Sequence, residues 1–218
     1  MTWLREAIGR PHPPRVAIIG AAIASRRPAR YLEVGVNTGV VFLHVRAARK
    51  VAVDPRPAIP RWKWRTHPNT LLRGRSVRAT SDAFFDDLAA GERFDVVFVD
   101  GDHTFAQTLR DIESALDHLA AGGVVMVHDC DPPTAAAASP DPLDAGDGPW
   151  CGEAWKAIAH LRATRADLSV TVLATDCGIG VIERRASTPI DLEPQAIAAM
   201  DWDDLVADRE RLLGPVAV

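Results

Sequence analysis

The sequence alternates short apolar runs with amphipathic segments, and this alternation limits the possible fold more than any other feature. Residues 94–100, FDVVFVD, are almost continuously apolar, which is typical of a strand covered on both faces. Residues 104–120 space their apolar side chains at helical intervals. Gly122-Gly123 is predicted to end that helix before the next strand, VVMVHD. The order of strands and helices predicts an α/β fold with a mostly parallel sheet.

The same order of elements begins earlier in the chain. Residues 30–35, RYLEVG, predict a strand, residues 38–48 a helix, and residues 50–54, KVAVD, a second strand. A short buried helix is predicted before them, at residues 16–24. After these elements, we expect a long irregular segment with four prolines, a strand near Leu71, and a helix from Ser81 to Ala89 capped by Thr80 or Ser81.

The last third of the chain predicts a loop and an antiparallel pair of strands. Residues 129–150 are rich in Asp, Pro, Ala and Gly, which is typical of a long surface loop that covers a substrate. A helix is predicted at residues 153–163, and two strands joined by a short turn at residues 176–178 follow it. Because the turn is short, we expect these strands to be antiparallel. One peripheral helix is predicted at residues 194–213.

Composition limits the functions that are plausible. The 218 residues carry a formal net charge of -4, so the chain has no overall positive field to hold nucleic acid or an anionic membrane, and a small substrate fits better. The three cysteines are odd in number and far apart, which argues against a disulfide framework or a structural zinc site. Without a signal-peptide pattern or a long apolar run, the sequence predicts a cytoplasmic protein.

The turn after the first predicted strand has the features of a nucleoside-binding turn. Glu33 opens it, and Gly35 and Gly39 let the backbone approach a ligand closely. Asp54 ends the second strand about 20 residues later, where a ribose-binding carboxylate is expected. Asp54 is alternatively a turn residue before Pro55. The dinucleotide fingerprint G-x-G-x-x-G is not present.

This turn resembles the first motif of class I S-adenosylmethionine (SAM) dependent methyltransferases. The resemblance implies a Rossmann-like fold with a seven-stranded, mostly parallel sheet and an antiparallel edge strand. It places the domain at residues 30–186, between helical extensions at residues 1–29 and 187–218. It also implies a SAM site with the methionine end at Glu33, a floor of Gly35, Asn37 and Gly39, the ribose at Asp54, and the adenine at Ser81 and Asp82.

Polar side chains follow two further predicted strands at the point where each strand ends. The first strand is followed by Asp100, Asp102 and His103, and the second by His128, Asp129 and Asp131. Neighbouring strand ends in such sheets face one cleft. Two carboxylates with an imidazole nearby predict a site for Mg²⁺ or a similar ion, which would polarise an acceptor hydroxyl.

This stretch resembles the metal-dependent small-molecule O-methyltransferases of bacteria, in particular those that methylate sugar hydroxyls. The resemblance implies Asp100, His128 and Asp129 as metal ligands. Relatives often have two acids where this chain has His128-Asp129, so Asp131 or water is an alternative third ligand, and His128 is alternatively a partly buried histidine. Asp100 would hold the SAM amino group in a metal-free enzyme.

The catalytic base is predicted among the residues that follow Asp100. The resemblance offers His103 and Asp102, and we favour His103 because an ordinary histidine titrates near neutral pH. Asp102 is alternatively a cap of the following helix. Trp62 and Trp64 are candidates for contact with substrate or a partner subunit.

The sequence therefore predicts a SAM-dependent O-methyltransferase that acts on a small molecule, a saccharide above all, with help from a divalent metal. The alternatives are a metal-free small-molecule methyltransferase, a dinucleotide- or nucleotide-sugar-binding oxidoreductase, and a SAM-binding module without activity. A homodimer is expected, with the N-terminal segment and the C-terminal helix as its contact elements. No nucleic-acid or membrane partner is expected.

Overall fold

The computed structural model describes residues 12–218. Residues 1–11, which belong to the predicted N-terminal extension and to the predicted dimer contact, lie outside the described residues. The chain divides into two compact units. Among the described residues, the first unit contains residues 12–101 and 111–125, and the second contains residues 102–110 and 126–218.

Helices and strands alternate through most of residues 12–218. The helices are α1 (Pro14–Ala24), α2 (Arg61–Thr66), α3 (Pro68–Arg73), α4 (Ser81–Asp86), α5 (Phe105–Asp117), α6 (Ala154–Thr164), α7 (Pro194–Ile197) and α8 (Trp202–Leu213). The strands are β1 (Arg30–Val34), β2 (Arg49–Val53), β3 (Gly74–Val77), β4 (Phe94–Val99), β5 (Leu119–Val127), β6 (Leu168–Leu173), β7 (Ile179–Arg184) and β8 (Pro215–Val216).

The strands form one mostly parallel sheet in the order β3-β2-β1-β4-β5-β7-β6-β8. The β1/β2, β1/β4 and β2/β3 pairs are parallel, whereas β6 and β7 are antiparallel. This is the Rossmann-like methyltransferase fold that the sequence predicts. Within residues 12–218 the sheet has eight strands rather than seven, because the two residues of β8 extend it beside β6.

The first unit contains the buried strands that the apolar runs predict. Five of the six residues of β4 are buried, and the last four residues of both β1 and β2 are buried. A strand covered on both faces needs this continuous apolar pattern. The predicted helix before β1 is also confirmed, as α1, which packs near β4 and buries Val16, Ile18, Ile19, Ala22 and Ile23.

The helix predicted at residues 38–48 is wrong, because this segment forms a series of turns. Two adjacent β-branched residues, Val40 and Val41, weaken its helix propensity. The fully buried Lys50 also interrupts the backbone ladder, since its Nζ donates to the carbonyl oxygens of Phe42 (2.5 Å) and Val45 (3.0 Å). The buried Nζ of a lysine therefore replaces part of the backbone hydrogen bonding that a helix would supply.

The segment between β2 and α4 is more regular than predicted. The four prolines predict an irregular chain, yet Pro60 precedes α2 and Pro68 begins α3, positions at which proline is tolerated. Leu71 itself lies in α3, and the strand predicted near it is β3, which starts three residues later at Gly74. The following helix starts at Ser81 as predicted, with Thr80 as its cap, and ends at Asp86 rather than Ala89.

The boundary between α5 and β5 also differs from the prediction. The helix ends at Asp117, and Gly122-Gly123 lies inside β5 instead of ending the helix. The backbone N–H of Phe94 donates to the His118 carbonyl oxygen at 2.9 Å. The chain therefore joins the sheet at Leu119, before it reaches Gly122. A β-carbon at Gly123 would lie 2.8 Å from the Leu119 side chain, so this glycine serves close packing within the strand.

The second unit confirms the predicted helix α6 and the antiparallel pair β6 and β7. The single helix predicted at residues 194–213 is instead two helices, α7 and α8. Asp201 divides them because its side chain accepts from the N–H groups of Asp203 and Asp204, and Asp204 accepts from the N–H of Asp201 in return. This reciprocal cap starts a new helix.

No helix in residues 12–218 is long and apolar enough to cross a bilayer.

Candidate functional site

The turn after β1 in the first unit adopts a conformation that needs its particular residues. Gly35, Asn37 and Gly39 all have positive φ, at 81°, 42° and 79°. A β-carbon at Gly35 would lie 1.9 Å from the carbonyl oxygen of Asp100, so no other residue fits there. The glycine therefore lets the ends of β1 and β4 approach each other closely.

Asp54 joins the end of β2 to this turn. Its Oδ2 accepts from the backbone N–H of Asn37 at 2.8 Å, and its Oδ1 accepts from the N–H of Arg56 at 2.6 Å. Asp54 is therefore a turn residue, as the simpler interpretation predicts. Each carboxylate oxygen has a second lone pair, so the group also has the acceptor capacity that two ribose hydroxyls require.

Glu33 is buried in the first unit beside other charged groups. It accepts a 2.5 Å hydrogen bond from the Tyr31 hydroxyl. Burial, aided by repulsion from Asp100, raises the pKa of Glu33 to about 8, although the Tyr31 hydrogen bond opposes this. Burial lowers the pKa of Lys50 to about 7, against the attraction of Glu33. A cation close to Glu33 would favour its ionised form.

The other predicted cofactor residues of the first unit lie at element ends. Ser81 is the first residue of α4, and Asp82 is an exposed acid in its first turn. Asp100 directly follows β4, and its backbone N–H donates to the Val34 carbonyl oxygen at 2.8 Å. These positions agree with contacts to a ligand at strand ends, and the roles stay predictions.

In the second unit, Asp102 and His103 precede α5 and have different surroundings. Oδ1 of Asp102 accepts from the N–H of Thr104 at 2.9 Å, and its carbonyl oxygen accepts from the Thr108 hydroxyl. The helix cap itself is Thr104, whose hydroxyl accepts from the N–H of Gln107. Asp102 therefore holds the turn before the helix, and the residue that caps the helix is Thr104, two positions later.

His103 packs between the segment that begins at Trp150 and the carboxylate of Asp129. Its Nδ1 lies 3.2 Å from the Trp150 carbonyl oxygen, and its ring stacks on the Trp150 ring at 5.0 Å between centroids. Its Nε2 lies 3.4 Å from Oδ2 of Asp129. The N–H of Glu153 donates to the His103 carbonyl oxygen at 2.7 Å. The ring and backbone of His103 are thus both held in place.

His128 lies between two carboxylates in the same unit. Its Nδ1 is 3.0 Å from Oδ2 of Asp129, and its Nε2 is 3.6 Å from Oδ1 of Asp176. The alternative metal ligand Asp131 instead pairs with Arg209. The structure therefore brings His103, His128 and Asp129 together. The third predicted metal ligand, Asp100, belongs to the first unit.

Two cysteines lie beside Asp129, although the sequence spacing argues against such a cluster. A carboxylate oxygen of Asp129 and the sulfur atoms of Cys151 and Cys177 all lie within 4.8 Å of one another. Burial, with a contribution from Asp129, raises the pKa of both thiols. The cluster around Asp129 in the second unit therefore contains carboxylate, imidazole and thiol groups.

This mixture of groups fits Mg²⁺ poorly. Magnesium prefers an octahedral shell of oxygen atoms, whereas Asp129 has imidazole nitrogens and thiol sulfurs as neighbours in its unit. The surroundings of Asp129 suit a softer ion better. The predicted Mg²⁺ site with Asp100, His128 and Asp129 as ligands stays a prediction, because the second unit contains only two of these three residues.

Both the sequence and the fold are similar to those of known proteins. The sequence model of a methyltransferase domain family matches residues 32–130, which include β1 to β5 and the residues up to Cys130. No curated protein matches the sequence significantly. Over residues 32–130 the chain is therefore similar to a methyltransferase domain.

Solved structures share the fold at low sequence identity. Cofactor-bound Rv0187 from MTB is 18% identical with a TM-score of 0.63, and the match covers 85% of this chain and 88% of that one. The O-methyltransferase TomG from Streptomyces achromogenes, solved with SAM, is 17% identical over 79% of this chain and 80% of its own, with a TM-score of 0.59. An O-methyltransferase from Bacillus cereus, solved with SAH, is 16% identical over 84% and 90%, with a TM-score of 0.58.

Four residues with roles in these clusters were not singled out as site residues from the sequence. Lys50 gives a weak signal, as a charged residue inside an apolar strand. Asp176 and Cys177 lie in a hairpin turn, and Cys151 follows a long loop. The approach of Asp176 to His128, and of the two cysteines to Asp129, therefore depends on tertiary structure. Of the two predicted tryptophan candidates, Trp62 is 64% exposed, while Trp64 packs near Phe42.

Proposed function

We propose that this chain transfers the methyl group of SAM to a hydroxyl group of a small molecule, with saccharides as the acceptor class. The match of residues 32–130 to a methyltransferase domain supports methyl transfer. Two structures of the same fold are named as O-methyltransferases, which supports oxygen as the acceptor atom. The saccharide comes from the sequence resemblance alone.

The single observation that carries the proposal is the close pair of the partly buried His103 and the buried Asp129. Their side chains are 15% and 7% exposed, and they approach to 3.4 Å. A hydroxyl is a weak nucleophile near neutral pH and needs a base that takes its proton. A histidine next to a carboxylate meets this need, because the carboxylate stabilises the imidazolium that forms.

The hydrogen bond at the other ring nitrogen fixes the form of His103. The Trp150 carbonyl oxygen can only accept, so Nδ1 of His103 carries the proton. In the neutral ring, Nε2 is then the basic nitrogen, and it is the atom that lies near Asp129. We therefore assign proton removal to Nε2 of His103, where the nearby Asp129 carboxylate would stabilise the imidazolium that forms.

The first unit supplies the groups that would hold the cofactor. Asp54 has acceptor capacity for the ribose hydroxyls, and its bond to Asn37 fixes the turn before any ligand binds. Glu33 would face the cationic amino group of the methionine end. SAM supplies a methyl group on a positively charged sulfur: the new oxygen–carbon bond forms as the carbon–sulfur bond breaks, and the hydroxyl proton goes to His103.

Calorimetry with S-adenosylhomocysteine (SAH) and with NAD tests the cofactor class. We expect heat from SAH and none from NAD, and the reverse result would favour the oxidoreductase alternative. Transfer from SAM labelled on its methyl group is then measured on a panel of saccharides, phenols and amines. Labelling confined to amines would contradict the proposal, and SAH binding without any transfer would favour a non-catalytic module.

Assistance by Mg²⁺ is tested separately, because it rests only on the sequence. Turnover is measured after treatment with EDTA and again after Mg²⁺ is added back. Loss and recovery of turnover would support the predicted metal. Unchanged turnover would show that no metal ion is needed beside the base His103, and it would favour the metal-free alternative.

A further inference from the structure

We propose that Asp129, Cys151 and Cys177 form a binding site for a soft divalent cation of the Zn²⁺ type, hereafter the thiol site. The three residues come from three separate parts of the second unit: the end of β5, the segment before α6, and the turn between β6 and β7. Zinc in proteins is bound by cysteine sulfur, histidine nitrogen and carboxylate oxygen. The thiol site offers two sulfurs and one such oxygen.

The distances are close to those that a bound ion requires. Zinc–sulfur bonds of about 2.3 Å in a tetrahedron place two sulfur atoms about 3.8 Å apart. In the structure the two sulfurs and the Asp129 oxygen are all within 4.8 Å of one another. Shifts of about 1 Å, within reach of side-chain rotation, would therefore complete three sides of a tetrahedron. Water or His128 would take the fourth position.

Each cysteine is fixed by a glycine that follows it. A β-carbon at Gly152 would lie 2.6 Å from the His103 carbonyl oxygen, and one at Gly178 would lie 2.4 Å from the backbone nitrogen of Asp131. Only glycine permits these close approaches. Both cysteines are therefore held by backbone packing against the neighbouring chain segments. Such prior positioning is what a metal site needs, because binding then orders few groups.

The backbone at the thiol site is also strained. Four non-glycine residues in the described part of the chain have positive φ, and three of them are at or beside this cluster: Asp129 (60°), Asp176 (53°) and Cys177 (58°). Such conformations cost about 1 kcal/mol or more each and concentrate at ligand-binding positions. The backbone N–H of Asp131 donates to the Cys177 carbonyl oxygen at 2.8 Å, which connects two of the strained segments.

The surroundings of the two sulfurs give the site an entrance. Cys151 is fully buried, whereas Cys177 is partly exposed in its turn. An ion would therefore enter from the side of Cys177. Because Asp129 also lies beside His103, a bound ion would compete with His103 for this carboxylate. That consequence rests on the proposed function, whereas binding of the ion does not.

Cobalt titration of the reduced full-length chain, without SAM or acceptor, tests the proposal. We expect one Co²⁺ per chain, with the thiolate-to-cobalt absorption and the visible bands of tetrahedral coordination, and displacement by Zn²⁺. Cys151→Ser and Cys177→Ser should each weaken binding by more than about 100-fold, since even an outer-shell partner is worth about 10- to 100-fold. The third cysteine supplies the matched control, and Cys130→Ala should bind as the wild type does.

A second readout needs no variant and so does not depend on how well a variant folds. Zn²⁺ should protect Cys151 and Cys177, but not Cys130, from alkylation followed by peptide mass spectrometry. No cobalt absorption in the reduced wild type would overturn the proposal. So would a disulfide between the two cysteines that forms equally fast with and without Zn²⁺, because an ion on both sulfurs would block their oxidation. Neither result bears on methyl transfer, which is measured separately.

Discussion

The glycine turn of the first unit and the Asp129 cluster of the second unit use charged groups in opposite ways. Around the turn, Asp54 accepts from the backbone of Asn37 and Arg56, and Lys50 donates to that of Phe42 and Val45. The exception is Glu33, which accepts from the Tyr31 hydroxyl. In the Asp129 cluster, titratable side chains face one another, with His103, His128 and the two cysteines all near one carboxylate.

This difference separates binding from chemistry. A carboxylate fixed by backbone N–H groups has a set shape and orientation, which suits a ligand that must be held. Side chains that face one another share protons or ions, which suits a reaction or a metal. The turn should therefore control cofactor affinity, while the Asp129 cluster should control turnover.

The largest effect is expected from loss of the base. His103→Ala should lower kcat by about 10²- to 10⁴-fold, the usual contribution of a general base. SAH affinity, measured by calorimetry, should change little. His12→Ala, at an exposed histidine of the first unit, serves as the control and should leave kcat unchanged. If His103→Ala keeps the wild-type kcat, His103 is not the base, and the Asp129 cluster does not supply it.

A smaller effect is expected from Asp54, and it should fall on binding. Asp54→Ala removes the acceptor for the turn and for the ribose, so SAH should bind about 10- to 150-fold more weakly, as expected for hydrogen bonds to a charged group worth about 1.5–3 kcal/mol. Asp54→Asn keeps an oxygen that accepts from Asn37 and should lose less.

Asp86→Ala is the control for this prediction, since it removes an exposed carboxylate at the end of α4. Calorimetry with SAH measures all three variants. If Asp54→Ala binds SAH as the wild type does, Asp54 is a turn residue and nothing more.

The turn and the Asp129 cluster also differ in how far the sequence could predict them. The order of strands and helices follows from local apolar patterns, and the fold and most element positions are confirmed. The prediction failed at residues 38–48, where a buried lysine from the next strand changes the backbone hydrogen bonds. The glycine turn and Asp54 are close in sequence, so their meeting could be predicted. Cys151 and Cys177 reach Asp129 only through tertiary packing, which no spacing in the sequence reveals.

The pH dependence of cofactor binding sharpens the role assigned to the first unit. Without ligand, the pKa of Glu33 is raised to about 8, so the group is protonated and neutral below that pH. A cationic amino group beside it would favour the ionised form and lower this pKa. Binding then releases a proton, and SAH affinity should rise with pH towards about 8, by at most about tenfold per unit.

Calorimetry in buffers of different ionisation enthalpy measures the released proton directly. Glu33→Gln cannot release a proton, so its affinity should be flat over the same range. If the SAH affinity of the wild type is equally flat between pH 6 and 8, Glu33 does not contact the amino group of the ligand.

The smallest effect is expected at Asp102, the neighbour of the proposed base. Its carboxylate accepts from the N–H of Thr104 and holds the turn before α5, while Thr104 caps the helix. Asp102→Ala should therefore lower the free energy of unfolding by about 1 kcal/mol, the net value of one such hydrogen bond, and leave kcat within about twofold of the wild type. Urea denaturation and steady-state kinetics measure the two quantities. A fall in kcat as large as that of His103→Ala would instead make Asp102 the base, because a turn hydrogen bond cannot account for a loss of that size.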